Sequence, residues 1–180
     1  MRLPGRFSAF RKDARGAAIV EFALVMPMLI ILYLGGFAVS QAVGTWRKVS
    51  DATAQLANVA AQYTTMQSSD AQGIMAAASQ IMSPYATSSL SEVLTLVSVS
   101  AGGTATVTWS QAYNGGTALT KGASVTLPTN MLLPGMSVLW VQTKYAYSPV
   151  VGASIVPAMT MNDQIYSAPR SSASIPCSSC

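Results

Sequence analysis

Two places in this 180-residue sequence carry residue types that could do chemistry. One is Glu21, a carboxylate five positions beyond Gly16 in an otherwise uncharged apolar run. The other is the pair Cys177 and Cys180, separated by two serines. A carboxylate at the centre of a bilayer costs about 3 kcal/mol on insertion scales, less near a helix end, so it seeks a cation or the interface. Its i±4 neighbours, Ala17 and Val25, offer none. A Cys-x-x-Cys pair can hold a metal, exchange electrons or close a disulfide. A closed zinc site needs two further ligands, and the sequence has no histidine and no third cysteine. A redox-active pair ordinarily opens a helix of a thioredoxin-like fold, whereas this one follows Pro176. A disulfide remains as the main reading, closing a small loop within the chain or linking it to other subunits.

The absence of histidine also removes Ser-His-Asp, Cys-His and His-based acid–base catalysis. A Ser–Lys pair has no motif behind it. Gly102-Gly103 and Gly115-Gly116 are turn glycines, because no GK[ST] follows either pair. The sequence therefore predicts no enzyme, no cofactor, no metal and no small-molecule substrate.

The elements that must position these residues start with a membrane segment. Apolar residues make up 51% of the chain and charged residues 9%, against about 25% charged in an ordinary soluble domain. Residues 17–43 hold one charge, Glu21, and residues 19–39 alone cover the roughly 20 helical residues that cross a bilayer core. The run is longer than the apolar core of a secretory signal peptide. The net charge of +4 sits in residues 1–16, where Arg2, Arg6, Arg11, Lys12 and Arg15 face only Asp13. The rest is neutral, which argues against nucleic acid as a partner. The positive-inside rule places this basic leader in the cytoplasm and the C-terminal part across the membrane. Pro27 lies within the span and is expected to loosen or kink it. Gly36, Ser40 and Gly44 form a small-xxx-small stripe suited to helix–helix packing.

Beyond the lipid, residues 46–84 read as a helical stem with a second helix. Val49, Leu56, Val59, Ala60, Tyr63 and Met66 continue the helical period to about residue 66, and Ser68-Ser69-Asp70 reads as a stop and a fresh N-cap. The second helix, of about 12 residues, carries Ile74, Met75, Ala78, Ile81 and Met82 on one side and ends at Ser83-Pro84. From residue 93 the pattern changes to alternating β-branched segments. Residues 93–101 and 104–113 flank Gly102-Gly103 as a hairpin, with Ala105, Val107 and Trp109 expected on one face. Further strands are expected at 123–127, 138–147 and 159–167, with Leu139, Val141, Tyr145 and Tyr147 sharing a face of the longest. The expected fold class is α+β: a transmembrane helix over 17–45, the stem, an antiparallel head of four or five strands over 93–168, and a loose tail over 169–180.

The stretch Asp13-Ala14-Arg15-Gly16-Ala17-Ala18-Ile19-Val20-Glu21-Phe22-Ala23-Leu24-Val25-Met26-Pro27 resembles a prepilin processing site. More particularly it resembles the TadE-like proteins, minor pilins or pseudopilins of the tight-adherence (Flp) pilus machinery. The resemblance implies cleavage by a prepilin peptidase between Gly16 and Ala17. It implies that Glu21, with Phe22 beside it, sets axial register by meeting the new α-ammonium of a neighbouring subunit. It further implies a bacterial inner-membrane protein with a periplasmic head, found in the membrane and in the pilus. Its partners would be other minor pilins, the major Flp pilin, the platform proteins and the lipid bilayer. Two other readings are an uncleaved anchor carrying a periplasmic binding module and a tethered redox protein using Cys177 and Cys180.

Overall fold

The structure is a computed structural model and describes residues 15–180, apart from the side chain of Arg15. All but the last two residues of the expected leader lie outside the described residues. Helix α1, Arg15–Ala60, is one unbroken element of 46 residues. At 1.5 Å per residue it is about 69 Å long. Pro27 sits inside it without ending it. Residues 16–33 are exposed on every side, and from Leu34 onward one side of the helix is covered.

The cover is a four-stranded antiparallel sheet of β1 Leu90–Val99, β2 Ala105–Tyr113, β3 Ser137–Tyr147 and β4 Met159–Ser167, in the order β2-β1-β3-β4. The expected α+β class and the strand at 159–167 are what the structure shows. The fifth strand expected at 123–127 does not form, and Ser124 makes only an isolated bridge to Thr106. Its surroundings explain this. Residues 114–136 form a loop that lays Leu127, Val125 and Leu132 over the outer face of the sheet, against Val97, Val99, Ala105 and Val138.

The other face of the sheet meets α1 and a second helix, α2, Ser68–Ser79. Far from the exposed end of α1, Leu56, Ala57 and Ala60 pack with Met75 of α2 and with Leu94, Leu96, Trp109, Leu139 and Val141. Nearer the exposed end, Ala38, Val49 and Ala52 pack with Met82, Leu90, Tyr145, Tyr147 and Met161. Tyr145 and Tyr147 thus lie on the helix side with Leu139 and Val141, as the alternation predicts. The hairpin partner differs from expectation. The register slips between Leu96 and Val97, so Leu96 faces Trp109 while Val97 faces Val107. A bulge of this kind resets which side chains share a face. It sends Trp109 to the helix-side core and Ala105 to the outer cluster.

The stem is shorter than its period suggests. Helix α1 ends at Ala60, and Met66 is buried instead by bridging to Cys177. The N-cap of α2 is Gln67, whose N–H donates to the Asp70 carboxylate at 2.9 Å. After Ser79 a 3-10 turn over Gln80–Met82 finishes the helix before Ser83-Pro84 is reached.

The tail is not loose. Residues 168–180 return along the distal end of α1, and the backbone N–H of Arg170 donates to the Ala61 carbonyl at 2.8 Å. Its guanidinium donates to Asn58 at 2.9 Å. Both tie the tail to the C-terminal end of α1, whose last carbonyls are met locally by the N–H groups of Ala61, Gln62 and Tyr63 and by the Gln62 side chain. Ile175 is fully buried, and its carbonyl accepts the Trp109 indole N–H at 2.7 Å. Polar alternation and Ser/Pro content in the tail concealed this docking, because its anchors are one side chain and several backbone groups.

Candidate functional site: the uncovered half of the helix

The residues singled out around Gly16 all lie on the segment of α1 that stands clear of the head. Gly16, Ala17, Glu21, Phe22 and Pro27 are exposed or on exposed turns, and a side chain at Gly16 would meet no heavy atom within 4 Å. Phe22, Ala23, Met26, Pro27, Ile30 and Ile31 line a shallow apolar groove along one side. Glu21, one position before Phe22, is about 100° away from it around the helix and faces the side opposite the groove. The arrangement offers a carboxylate on one side of the helix and an apolar strip on the other, with Gly16 about one and a half turns below.

The helix Gly16–Ala60 is long and apolar enough to cross a membrane, and its most apolar stretch makes no contact with the rest of the chain. A soluble core helix of this composition would be wrapped. Lipid is the solvent in which an all-round apolar helix with satisfied backbone hydrogen bonds is stable. Among the described residues, one helix thus fits a single-pass membrane anchor.

The small-residue stripe is divided. Gly36 and Ser40 are exposed, with the Ser40 hydroxyl donating back to the Gly36 carbonyl at 2.8 Å. Gly44 is half-buried and lies 3.4 Å from the Tyr85 hydroxyl, measured from where its Cβ would stand. The surface that α1 turns to the head runs beside that stripe, through Gly35, Ala38, Ala42, Thr45, Val49 and Thr53. Sequence reasoning missed this seam because its small residues match either a neighbouring helix or a sheet. Polar side chains fix it: Tyr85 donates to Gln41 at 2.8 Å, and the Thr53 and Thr143 hydroxyls share a buried bond of 2.6 Å. Lys48 donates to the carbonyls of Ile81 and Ser83.

Cys177 and Cys180 form a disulfide within the chain, with Cα atoms 5.6 Å apart. It lies by Met66, beyond the far end of α1 from Gly16. The helix between Gly16 and Ala60 spans about 66 Å, so the two groups of chemistry-bearing residues form no common site. Glu92 is fully buried on the helix-side face of β1. Neither of its carboxylate oxygens has a hydrogen-bond partner among the described residues. Burial pushes its carboxyl up to about 8. The signal was present in the sequence, since Leu90, Glu92, Leu94 and Leu96 alternate onto one strand face.

No curated protein and no solved structure matches the chain. A family model, that of the TadE-like proteins, matches residues 16–67. The match starts on the glycine at the foot of the exposed helix and stops at the N-cap of α2, so it covers α1 and its exit and leaves the sheet outside. Residues 16–67, the membrane-type helix and stem, are thus similar to the TadE-like proteins, a match that supports a TadE-like protein of the Tad pilus system.

Proposed function

We propose that this chain is a minor pilin of a tight-adherence (Flp) pilus, a structural subunit that acts by assembly. The observation that carries this reading is that the family match opens on Gly16, with Glu21 and Phe22 on an uncovered helix. A prepilin peptidase cuts between Gly16 and Ala17 and leaves an α-ammonium on Ala17. In a neighbouring subunit that ammonium meets Glu21, and in low dielectric the pair is far stronger than at a protein surface. The ion pair fixes axial register, the groove beside Phe22 takes the neighbour's apolar side chains, and Pro27 gives the helix a turn that yields on packing. Gly36 and Ser40 admit a close helix approach above it. Residues 1–16 stay on the cytoplasmic side of the inner membrane, and the head stands in the periplasm with its disulfide. Other minor pilins, the major Flp pilin and the platform proteins are the partners.

Two measurements test this. Intact mass and N-terminal sequencing of the chain from its native membrane should give a mature protein starting at Ala17. A chain that keeps Arg2 to Arg15 would leave an uncleaved anchor. The Glu21→Ala variant should insert and accumulate normally but lose pilus output. Piliation at the parental level would remove the register role from Glu21.

A further inference from the structure

Between β3 and β4 the head carries a loop, residues 148–158, of the sequence Ser-Pro-Val-Val-Gly-Ala-Ser-Ile-Val-Pro-Ala, with no charged residue. The loop bends toward the exposed half of α1. Ile155 and Val156 both donate their N–H groups to the Gly152 carbonyl, at 2.8 and 2.9 Å, which closes a turn. Gly152 has φ +76°, and a Cβ there would stand 3.0 Å from that of Ala38, so the turn sits directly on the helix. The Ile155 side chain reaches to 3.7 Å from a Cβ built on Gly35. Val156 is buried against Ala38, while Val150 and Ile155 face outward, Val150 at 99% exposure. Phe37, Gln41, Pro84, Tyr85, Val150 and Val151 border a cleft of about 530 Å³ beside this contact.

The height of the contact decides what surrounds it. Counting from Ala17 at 1.5 Å per residue, a hydrocarbon core of about 30 Å ends near Gly36. The loop grips Gly35 to Ala38, so it lies at the edge of the bilayer core. A side chain as apolar and as exposed as Val150 would be unremarkable singly in water. Here it stands among Val151, Ile155 and Phe37 at the level where the helix emerges from lipid, and the nearby tyrosines suit that layer. We infer that the β3–β4 loop is a second membrane contact, inserted at the headgroup–acyl boundary of the leaflet from which α1 emerges. The ligand is the lipid surface itself. The helix and the loop together hold the head against the membrane at a fixed tilt instead of letting it swing on a single stem.

The inference rests on α1 crossing a membrane, and the test separates the two. The full chain, with its native disulfide intact, is reconstituted in phosphatidylethanolamine–phosphatidylglycerol vesicles. It carries a single added cysteine labelled with an environment-sensitive fluorophore, by Val150→Cys, Leu24→Cys or Ala101→Cys. Each site is exposed in the fold. Nitroxides are placed on lipids either near the headgroup or near the acyl-chain end. Leu24→Cys should lose emission to the deep nitroxide. Val150→Cys should be blue-shifted and lose emission mainly to the shallow one. Ala101→Cys, in the β1–β2 turn at the distal end of the sheet, should respond to neither. If Leu24→Cys is quenched but Val150→Cys behaves like Ala101→Cys, the loop is in water and the inference is wrong. A Val150→Cys label that is blue-shifted, unquenched and dependent on protein density would put a second copy there and overturn it equally. If Leu24→Cys is unquenched, the membrane reading of α1 fails and the loop's role falls with it.

Discussion

The two parts of α1 differ in composition and in circumstances: residues 16–33 hold one polar side chain, Glu21, and residues 34–60 hold ten. Residues 16–33 are exposed on every side among the described residues, whereas residues from Leu34 to Ala60 form the spine of the head. In the first half every side chain but Glu21 is apolar, and no face is specified by contacts with the described residues. In the second half one side is buried with defined partners, such as Leu56 on the sheet or Thr53 on Thr143, while Val39, Val43 and Trp46 stay exposed. The difference shows that an apolar residue stabilises this fold only where it is removed from water on folding. The same residue in the exposed half adds nothing to the packing of the head and fits a membrane anchor instead.

The largest expected effect breaks the comparison directly. Leu56→Ala, in the full chain in detergent, should lower unfolding free energy by about 2–5 kcal/mol, the usual range for a buried leucine. Leu24→Ala, at 75% exposure, should leave it within about 0.5 kcal/mol. Denaturant titration followed by tryptophan fluorescence reads both, since Trp109 lies in the core beside Leu56. Equal losses would mean that the exposed half packs against something within the chain.

A second effect concerns the buried carboxylate in the covered region. Glu92 has its ordinary value near 4.5 when unfolded and about 8 when folded. Below the lower value both states hold the proton, and no penalty arises. Between the two values the folded state alone keeps it, so stability falls as pH rises, and above the upper value the loss is complete. At pH 7 the cost is about 3 kcal/mol. Glu92→Leu should recover about that much at pH 7 and flatten the decline between pH 5 and pH 8. A parental slope that survives the substitution would place the proton uptake elsewhere.

The smallest effect tests the tail. Arg170→Ala removes the exposed guanidinium bond to Asn58 but keeps the backbone bond to Ala61. The loss should be under about 1 kcal/mol in the same titration. A larger loss would make the side chain, rather than the backbone and Ile175, the anchor of the strap.

Much of this molecule is legible in the sequence because lipid and pleated sheets impose plain periods. The run from Ala17 to Val43 has no soluble alternative, and the segments ending at Tyr147 and Ser167 alternate cleanly. What escaped notice depends on contacts between distant segments. The bulge opposite Leu96 and Val97 has no glycine to mark it, so the faces of Ala105 and Trp109 could not be separated. The docking of the tail beside the end of α1 comes from Arg170, more than a hundred residues later. The stripe of Gly36, Ser40 and Gly44 lies beside the seam that the head uses, because residues one position apart on a helix differ by 100° in facing. At the candidate site the residue types were plain and the partners were not, since an assembling surface shows its chemistry only against a neighbour.

The burial of Ile175 has a consequence for the order in which the protein can be made. Residues leave the ribosome from the N-terminus onward, so α1 is available to insert before any of the sheet exists. The cluster around Trp109 stays open until residue 175 has been delivered, because the indole N–H and the pocket beside Met66 wait for that segment. The membrane-type helix is therefore complete long before the head can close, and a translation stall or truncation just before residue 175 would leave a chain with an unfinished core for quality control to find.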